Sequence, residues 1–421
     1  MRGFTYYGDQ RIELELPEGW NLTPIPPFKK ARGLKDAEKR MREAITSALK
    51  RKPPKGKVAL ICDDKTRRTP AYKVLPTLLD KLNKAGVKDE DVTLIVALGT
   101  HSKMTLKDME RKVGKEALER IEFKNHDYES PHLVNMGKTR RGTPLWVNKE
   151  VANADVRIGI GSVFPHALAG FSGGGKIILP GVAGRETIGL NHSLVTDPGF
   201  KFEYAAGNAI FEDMREAAGI ARLDIKIDMV LTSPPEEEII MVDAGDFREV
   251  QDRAIEVCEN IYGVAVPRLA DVAIVSTHPF DRFLPESFKA VFPGNSVTKD
   301  WGTIVVPCPL YDGIHSNPKV EELIRQLMYR SLTNPEEVIG KIREGIYEAT
   351  IPYRFRKIQK KKDIIFVTEG VSTEKMSEMG LTSVKTLDEA LEIAKKKHRT
   401  ADVTILPFGG ETIPRLRSRR L

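Results

Sequence analysis

The chain has 421 residues, 41% of them hydrophobic and 30% charged, with a formal net charge of +7. That length exceeds one ordinary core and predicts two or three domains, and the composition is that of a globular protein rather than a disordered or fibrous one. No apolar run reaches the roughly 18 residues of a membrane span, and no aromatic-basic interleaving or known reader module accompanies the positive charge, so neither a membrane nor a nucleic acid is expected as partner.

The amino terminus, "MRGFTYYGDQRIELELPEGW", alternates like a pair of strands and lacks the apolar centre of a signal peptide, which points to the cytoplasm. Apolar runs rich in Val and Ile follow: 57–64, 92–101, 156–166, 228–233, 271–281, 302–309, 363–370 and 402–410. Helical patterns such as "AYKVLPTLLDKLNKAGV" and "REVQDRAIEVCENIYGV" lie between them. Such alternation predicts an α/β protein in two lobes, each with a mainly parallel sheet flanked by helices. The boundary is expected between 267 and 268, dividing a cofactor-binding domain, 1–267, from a carboxyl-terminal α/β domain, 268–421. Cys62, Cys258 and Cys308 are too scattered for a disulfide framework or a cysteine-built zinc site, and Cys62 reads as a small buried hydrophobe.

Polar residues recur where apolar runs end: Asp63 and Asp64, His101, His166, His278. Open α/β sheets bind ligands outside the carboxyl ends of their strands. In "CDDKTRRTP" (62–70), Asp64, Thr66 or Thr69 can cap the helix that Pro70 begins, but capping leaves Arg67 unexplained. A guanidinium at a strand-end turn suits a carboxylate or phosphate. His101 in "ALGTHSKMT" has the near-neutral titration that proton transfer needs, although a lone histidine is more often structural.

The segment 165–192, "PHALAGFSGGGKIILPGVAGRETIGLNH", holds seven glycines, two histidines and a lysine. In it "GFSGGGK" offers successive backbone N–H groups, a nest able to hold a phosphate. It is not a Walker loop, because Ile177 follows Lys176 where Ser or Thr is required. Lys176 can contact a phosphate or form a covalent link through its amine. His192 has no partner at metal-site spacing, so a zinc site built by the protein alone is poorly supported, whereas a metal held mostly by a cofactor fits. Further on, Glu286 and Lys289 in "PESFK" stand i, i+3 at a helix start, a spacing that by itself reads as a surface pair. His278, His315 and Trp301 are weaker candidates.

The ordered set "DDKTR", "GTH", "PHALAGFSGGGKIILPGVAGRETIGLNH" and "PESFK" resembles the nickel-pincer-nucleotide-dependent lactate racemase family over nearly the whole chain. The resemblance implies two α/β lobes with the active site in the interdomain cleft. It implies a nickel-pincer nucleotide, Ni(II)-pyridinium-3,5-bisthiocarboxylic acid mononucleotide, loaded by cofactor-biosynthesis proteins. The implied reaction is racemisation or epimerisation of a small-molecule 2-hydroxy acid by hydride transfer to and from that cofactor. Carried onto this sequence, Lys176 matches the lysine that joins the cofactor, His192 the nickel ligand, and His101 and His166 the acid/base pair. Asp64 and Arg67 match the D-x-T-R residues facing cofactor and substrate, and Lys65 and Thr66 between them, with Ser172, Gly173 and Gly174, complete the expected cofactor-binding set. Lys289 matches the substrate-contacting lysine.

Two departures bear on the substrate. Glu286 stands where lactate racemases carry Gln, three residues before that lysine. In "IPYRFRKI", where the family often places a Trp over the site, this chain has Tyr353 and Phe355. A carboxylate in place of an amide favours a substrate presenting hydroxyls or a cation rather than another anion, so a polyhydroxy or substituted 2-hydroxy acid is expected rather than lactate, with Arg67, Glu286, Lys289 and Tyr353 as its contacts. The competing readings are a dehydrogenase or hydrolase with a freely bound nucleotide, and a non-catalytic binding protein for the cofactor or a hydroxy acid.

Overall fold

Continuously apolar strands can be buried on both faces only inside a layered α/β body. The computed structural model describes residues 2–25, 31–197, 200, 207–233 and 237–416, and it contains two six-stranded sheets. The first runs, edge to edge, Ile239–Gly245, Ile225–Leu231, Val156–Ser162, Val58–Asp63, Val92–Ala97, Glu122–Asn125. All its pairings are parallel except that of the Ile239–Gly245 edge strand. The second runs Thr382–Val384, Asp363–Val367, Thr298–Pro307, Ala270–Val275, Ala401–Leu406, Trp20–Leu22, and is parallel throughout. The expected α/β class with flanked parallel sheets is what is found.

Helices cover both faces of the first sheet. The helix Ala71–Lys84 places Val74, Leu75, Leu78, Leu79 and Leu82 on one side, at i, i+3/i+4 spacing, against Val58, Leu60 and Cys62. Truncating a fully buried leucine such as Leu78 to Ala would cost about 2–5 kcal/mol. The opposite face packs Ile61 and Ile95 against Ile177, Leu179, Ile210 and Met214. This second layer combines the helix Ala209–Ile220 with the glycine-rich segment, which folds back under its own sheet.

The predicted amino-terminal strand pair is present as Arg2–Tyr7 with Gln10–Glu15. The chain then contributes Trp20–Leu22 to the second sheet, where the Trp20 indole Nε1–H donates to the His398 carbonyl at 2.7 Å. A short parallel pair, Gly263–Val266 with Ile413–Leu416, ties the end of the long helix Phe247–Tyr262 to the carboxyl-terminal segment. There the fully buried Glu411 pairs with Arg68 and accepts from the Ser233 hydroxyl at 2.6 Å. All three cysteines are free and buried. No helix among the described residues is long and apolar enough to cross a membrane.

Candidate active site

The strands Val58–Asp63, Val92–Ala97 and Val156–Ser162 are neighbours in register, so the loops that leave their carboxyl ends meet at one edge of the sheet. They line a cavity with Asp64, Arg67, His101, His166, Ser172, Gly173, Lys176 and His192. Its far wall is formed by Phe283, Glu286, Phe288, Lys289, Tyr347 and Arg354.

The turn after Val58–Asp63 does not cap the helix that follows. The N-cap position is Pro70, with no side-chain cap bond. Asp64 instead takes the Thr66 backbone N–H at 2.7 Å and its hydroxyl at 2.5 Å on Oδ1, and meets His101 Nδ1 at 2.6 Å through Oδ2. Arg67 donates to the Thr66 hydroxyl at 2.9 Å. Burial alone would raise the Asp64 carboxyl; the neighbouring His101 imidazole, Arg67 and the Thr66 hydroxyl outweigh it and hold Asp64 well below the usual carboxylate range. A carboxylate on Nδ1 fixes the His101 proton there and leaves Nε2 as an acceptor.

His166 is wired the other way. Its Nδ1 accepts from the backbone N–H groups of Ala169 at 3.1 Å and Leu168 at 3.3 Å, so a neutral ring carries its proton on Nε2. Burial, and then the nearby Lys176, Arg67, Lys289 and His192, push its titration well below that of a free histidine. Lys176 lies in the turn Gly174–Ile177. Burial, with Arg67 and Lys289 adding repulsion, lowers its amine to about 7, so a large part of it is neutral and nucleophilic near neutral pH.

His192 rides on the helix Arg185–Ser193 and donates from Nδ1 to the Ile188 carbonyl, one turn back, at 2.8 Å. Its Nε2 lone pair is left over, and burial, then Lys176, lower its titration to about 3. A ring N–H given to a backbone carbonyl is the usual orientation of a metal-binding imidazole. Tyr347 packs edge-on to this ring, centroids 5.0 Å apart. Gly189 permits that packing: a Cβ there would stand 1.6 Å from the Gly345 carbonyl oxygen.

Not every predicted residue arrives at the cavity. Lys65 points away, pairing with Asp108 at 2.8 Å. Thr66 acts through Asp64 and Arg67. The Gly174 N–H, expected in an anion nest, is taken by the Asp228 carboxylate at 2.7 Å, and the Ser172 hydroxyl donates to the Ser162 carbonyl at 2.8 Å. Tyr353 lies in a separate groove with Leu332 and Val338. It falls off the Ile351–Arg354–Ile358 face of its helix, and that face is the buried one. Glu286 and Lys289 are no surface pair. Their charged ends are 3.3 Å apart, each side chain only 10% exposed, on the cavity wall. The Lys289 ammonium sits 3.5 Å over the Phe280 ring, and burial, only partly offset by Glu286, lowers it to about 8. Trp301 is exposed, away from the cavity.

Three site residues escaped the sequence reading. Lys226 and Asp228 form a fully buried ion pair at 2.5 Å beneath the glycine turn. Two charges spaced i, i+2 in the run "IKIDMVL" put both on one face of a strand, and that was the available signal. Arg354 was hidden in a basic run that reads as solvated surface.

The fold and cavity have recognisable counterparts. Residues 7–202 match the lactate racemase N-terminal domain and residues 266–413 the lactate racemase C-terminal domain. The lactate racemase of Thermoanaerobacterium thermosaccharolyticum is 30% identical over 372 residues, 86% of this chain and 85% of that protein. That of Lactiplantibacillus plantarum is 28% identical over 367 residues, 84% of each. The lactate racemase apoprotein structure from T. thermosaccharolyticum superposes with a TM-score of 0.84 at 28% identity, covering 99% of this chain and 100% of that one. A Thermotoga maritima protein shares the fold, with a TM-score of 0.69 at 22% identity over 90% of this chain and 98% of its own.

Proposed function

This chain belongs to the lactate racemase family, an isomerase acting on hydroxy acids, and from that premise we propose that it inverts C2 of a 2-hydroxy acid using a nickel-pincer nucleotide held at Lys176 and His192. The observation that carries the reading is the pairing, on one cavity, of a partly neutral lysine amine with a buried imidazole whose Nε2 is uncommitted. Those are the two groups a covalently tethered, nickel-bearing ring requires, and the residues present fit it. The bound cofactor supplies the acceptor and donor for the C2 hydrogen.

The protein's own part is position and proton traffic. Arg67 and Lys289 hold the carboxylate, Arg67 being steadied by the Thr66 hydroxyl at 2.9 Å. His101 Nε2 takes the hydroxyl proton, and the Asp64 carboxylate on Nδ1 stabilises the imidazolium that forms. The planar 2-oxo acid that results can present its other face. His166 serves the opposite orientation: its resting proton lies on Nε2, so it accepts a hydroxyl proton there only after tautomerising to Nδ1–H, at the expense of the Ala169 and Leu168 N–H contacts. The buried pair Lys226–Asp228 anchors the Gly174 N–H and so fixes the turn that carries Lys176. Glu286 beside Lys289 supports a polyhydroxy or substituted acid in preference to lactate. We place the enzyme in the cytoplasm, loaded by cofactor-biosynthesis proteins, with 1–267 as the cofactor-binding part.

The test is intact-protein mass and nickel analysis on protein co-expressed with a pincer-cofactor pathway. The expected result is a covalent adduct with about one nickel per chain, as one imidazole ligand and one tether imply. Lys176→Ala should lose the adduct; His192→Ala should keep it and lose nickel. No adduct beside a working pathway control would refute the cofactor assignment and leave the binding-protein reading.

A further inference from the structure

Arg354 is the one group on the cavity wall that neither the fold nor the proposed reaction uses. It is 5% exposed, yet among the described residues its only hydrogen bond is from Nε to the Thr350 carbonyl at 3.1 Å. No ion pair of Arg354 is found among the described residues. Its guanidinium lies 4.7 Å from the Phe288 ring, which supports one face of the fork. The two Nη groups have no hydrogen-bond partner among the described residues, on a residue that lines the cavity beside Tyr347 and His192. A buried guanidinium without a counter-ion is costly, and its planar fork matches a carboxylate in two parallel bonds. The other basic groups of the cavity have partners or a role: Lys289 has Glu286, Lys226 has Asp228, Arg67 is bonded to Thr66 and lies near the Asp64 charge, and Lys176 is the proposed cofactor tether.

We propose that Arg354 is a specificity residue that receives a second carboxylate, at the end of the substrate remote from the reacting C2, so that the preferred substrates are 2-hydroxy dicarboxylic acids. The proposal rests on the 2-hydroxy acid reading above and narrows it. It is compatible with Glu286, whose charge is spent on Lys289, so the repulsion it exerts on an anion is confined to that wall.

Calorimetric titration of the full chain without cofactor tests it, with 2-hydroxybutanedioate, its singly charged analogue 2-hydroxybutanoate, and nicotinic acid mononucleotide as probes. The wild type should bind the dicarboxylate tighter than the monocarboxylate by about 10- to 100-fold, the worth of one charge-assisted fork. Arg354→Gln should abolish that preference and leave the monocarboxylate unchanged, while Arg354→Lys, which keeps charge but not the fork, should restore part of it. A wild type without dicarboxylate preference overturns the proposal. So does a loss in Arg354→Gln confined to the mononucleotide, which would make Arg354 a phosphate ligand of the cofactor. Should Arg354→Gln fail to fold, Arg354→Lys and the wild-type preference still decide. If no 2-hydroxy acid binds at all, the proposed function falls as well; if both acids bind equally, only the role of Arg354 does.

Discussion

Replacing Asp64 by Asn isolates what a single buried carboxylate does for the site. The change keeps the volume and the acceptor for the Thr66 N–H, bonded at 2.7 Å. It removes the charge that meets His101 Nδ1 at 2.6 Å and can turn an amide N–H toward that nitrogen. An imidazole facing a donor on Nδ1 moves its proton to Nε2, the atom that must accept the hydroxyl proton. A hydrogen bond to a charged group is worth about 1.5–3 kcal/mol, so turnover should fall about 10- to 100-fold, and further if the wrong tautomer dominates. KM should change little, because Arg67 and Lys289 still hold the carboxylate. Racemisation of the loaded enzyme followed by polarimetry gives the rate. Nitrogen-15 NMR of the imidazoles gives the tautomer without any cofactor: Nδ1–H in the wild type, Nε2–H in Asp64→Asn. A wild-type His101 protonated on Nε2, or an Asp64→Asn variant with unchanged turnover, would refute the reasoning.

Other consequences can be checked on the apo protein or by kinetics. Because burial lowers the Lys176 amine from 10.5 to about 7, its reductive methylation should rise between about pH 6 and 8 and then level off, whereas surface lysines keep rising toward pH 10. Reactivity that tracks the surface lysines would contradict the lowered amine. The sign for stability follows: between about 7 and 10.5 the unfolded chain holds a proton that the folded one sheds, so this group's contribution improves with rising pH. Lys176→Met should therefore stabilise the apo protein at pH 7, with the gain fading toward pH 10.5, as read in urea titrations. Gly173 has φ +73°, and a Cβ there would stand 2.4 Å from Val163 Cγ2, so Gly173→Ala should cost at least about 1–3 kcal/mol in the same titrations and lower adduct yield. Glu286→Gln should shift the ratio of kcat/KM for polyhydroxy acids over lactate about tenfold toward lactate, the worth of one charged hydrogen bond; an unchanged ranking would remove Glu286 from substrate choice.

Much of this site was legible because its residues sit where strand ends must deliver them. Asp64, His101 and His166 each follow an apolar run, and period and run length fix such ends to within a few residues. Lys176 and His192 were legible from the glycines around them, since Gly173, with φ +73°, marks a turn against the Val163 side chain and Gly189 a close approach to the Gly345 backbone. Tertiary partners were not. Whether the Gly174 N–H faces a ligand or Asp228 depends on a strand some 50 residues on, and local spacing says nothing about it. Tyr353 and Arg354 differ by one helical step of about 100°, and the basic run around them hid which one turns inward. The strand Trp20–Leu22 is three residues long, too short for alternation to reveal, so its place in the second sheet could not be read.

The opposite wiring of the two histidines limits how the reaction can run. His101 is backed by a carboxylate and so is the better proton acceptor; His166 is backed by two backbone N–H groups and so resists a second proton. The two enantiomers of a substrate with one stereocentre nonetheless have equal free energies, so kcat/KM must be the same in both directions whatever the residues do. The asymmetry has to appear within each direction. The enantiomer that presents its hydroxyl to His101 loses its proton through the more favourable base. The one that faces His166 must compensate by tighter ground-state binding or accept a slower turnover, with kcat and KM scaled down together. A substrate with a second stereocentre escapes this constraint, because its epimers differ in energy. Unequal kcat/KM for two C2 forms would thus identify an epimer pair, and equal values with unequal kcat would identify enantiomers handled by two unlike bases.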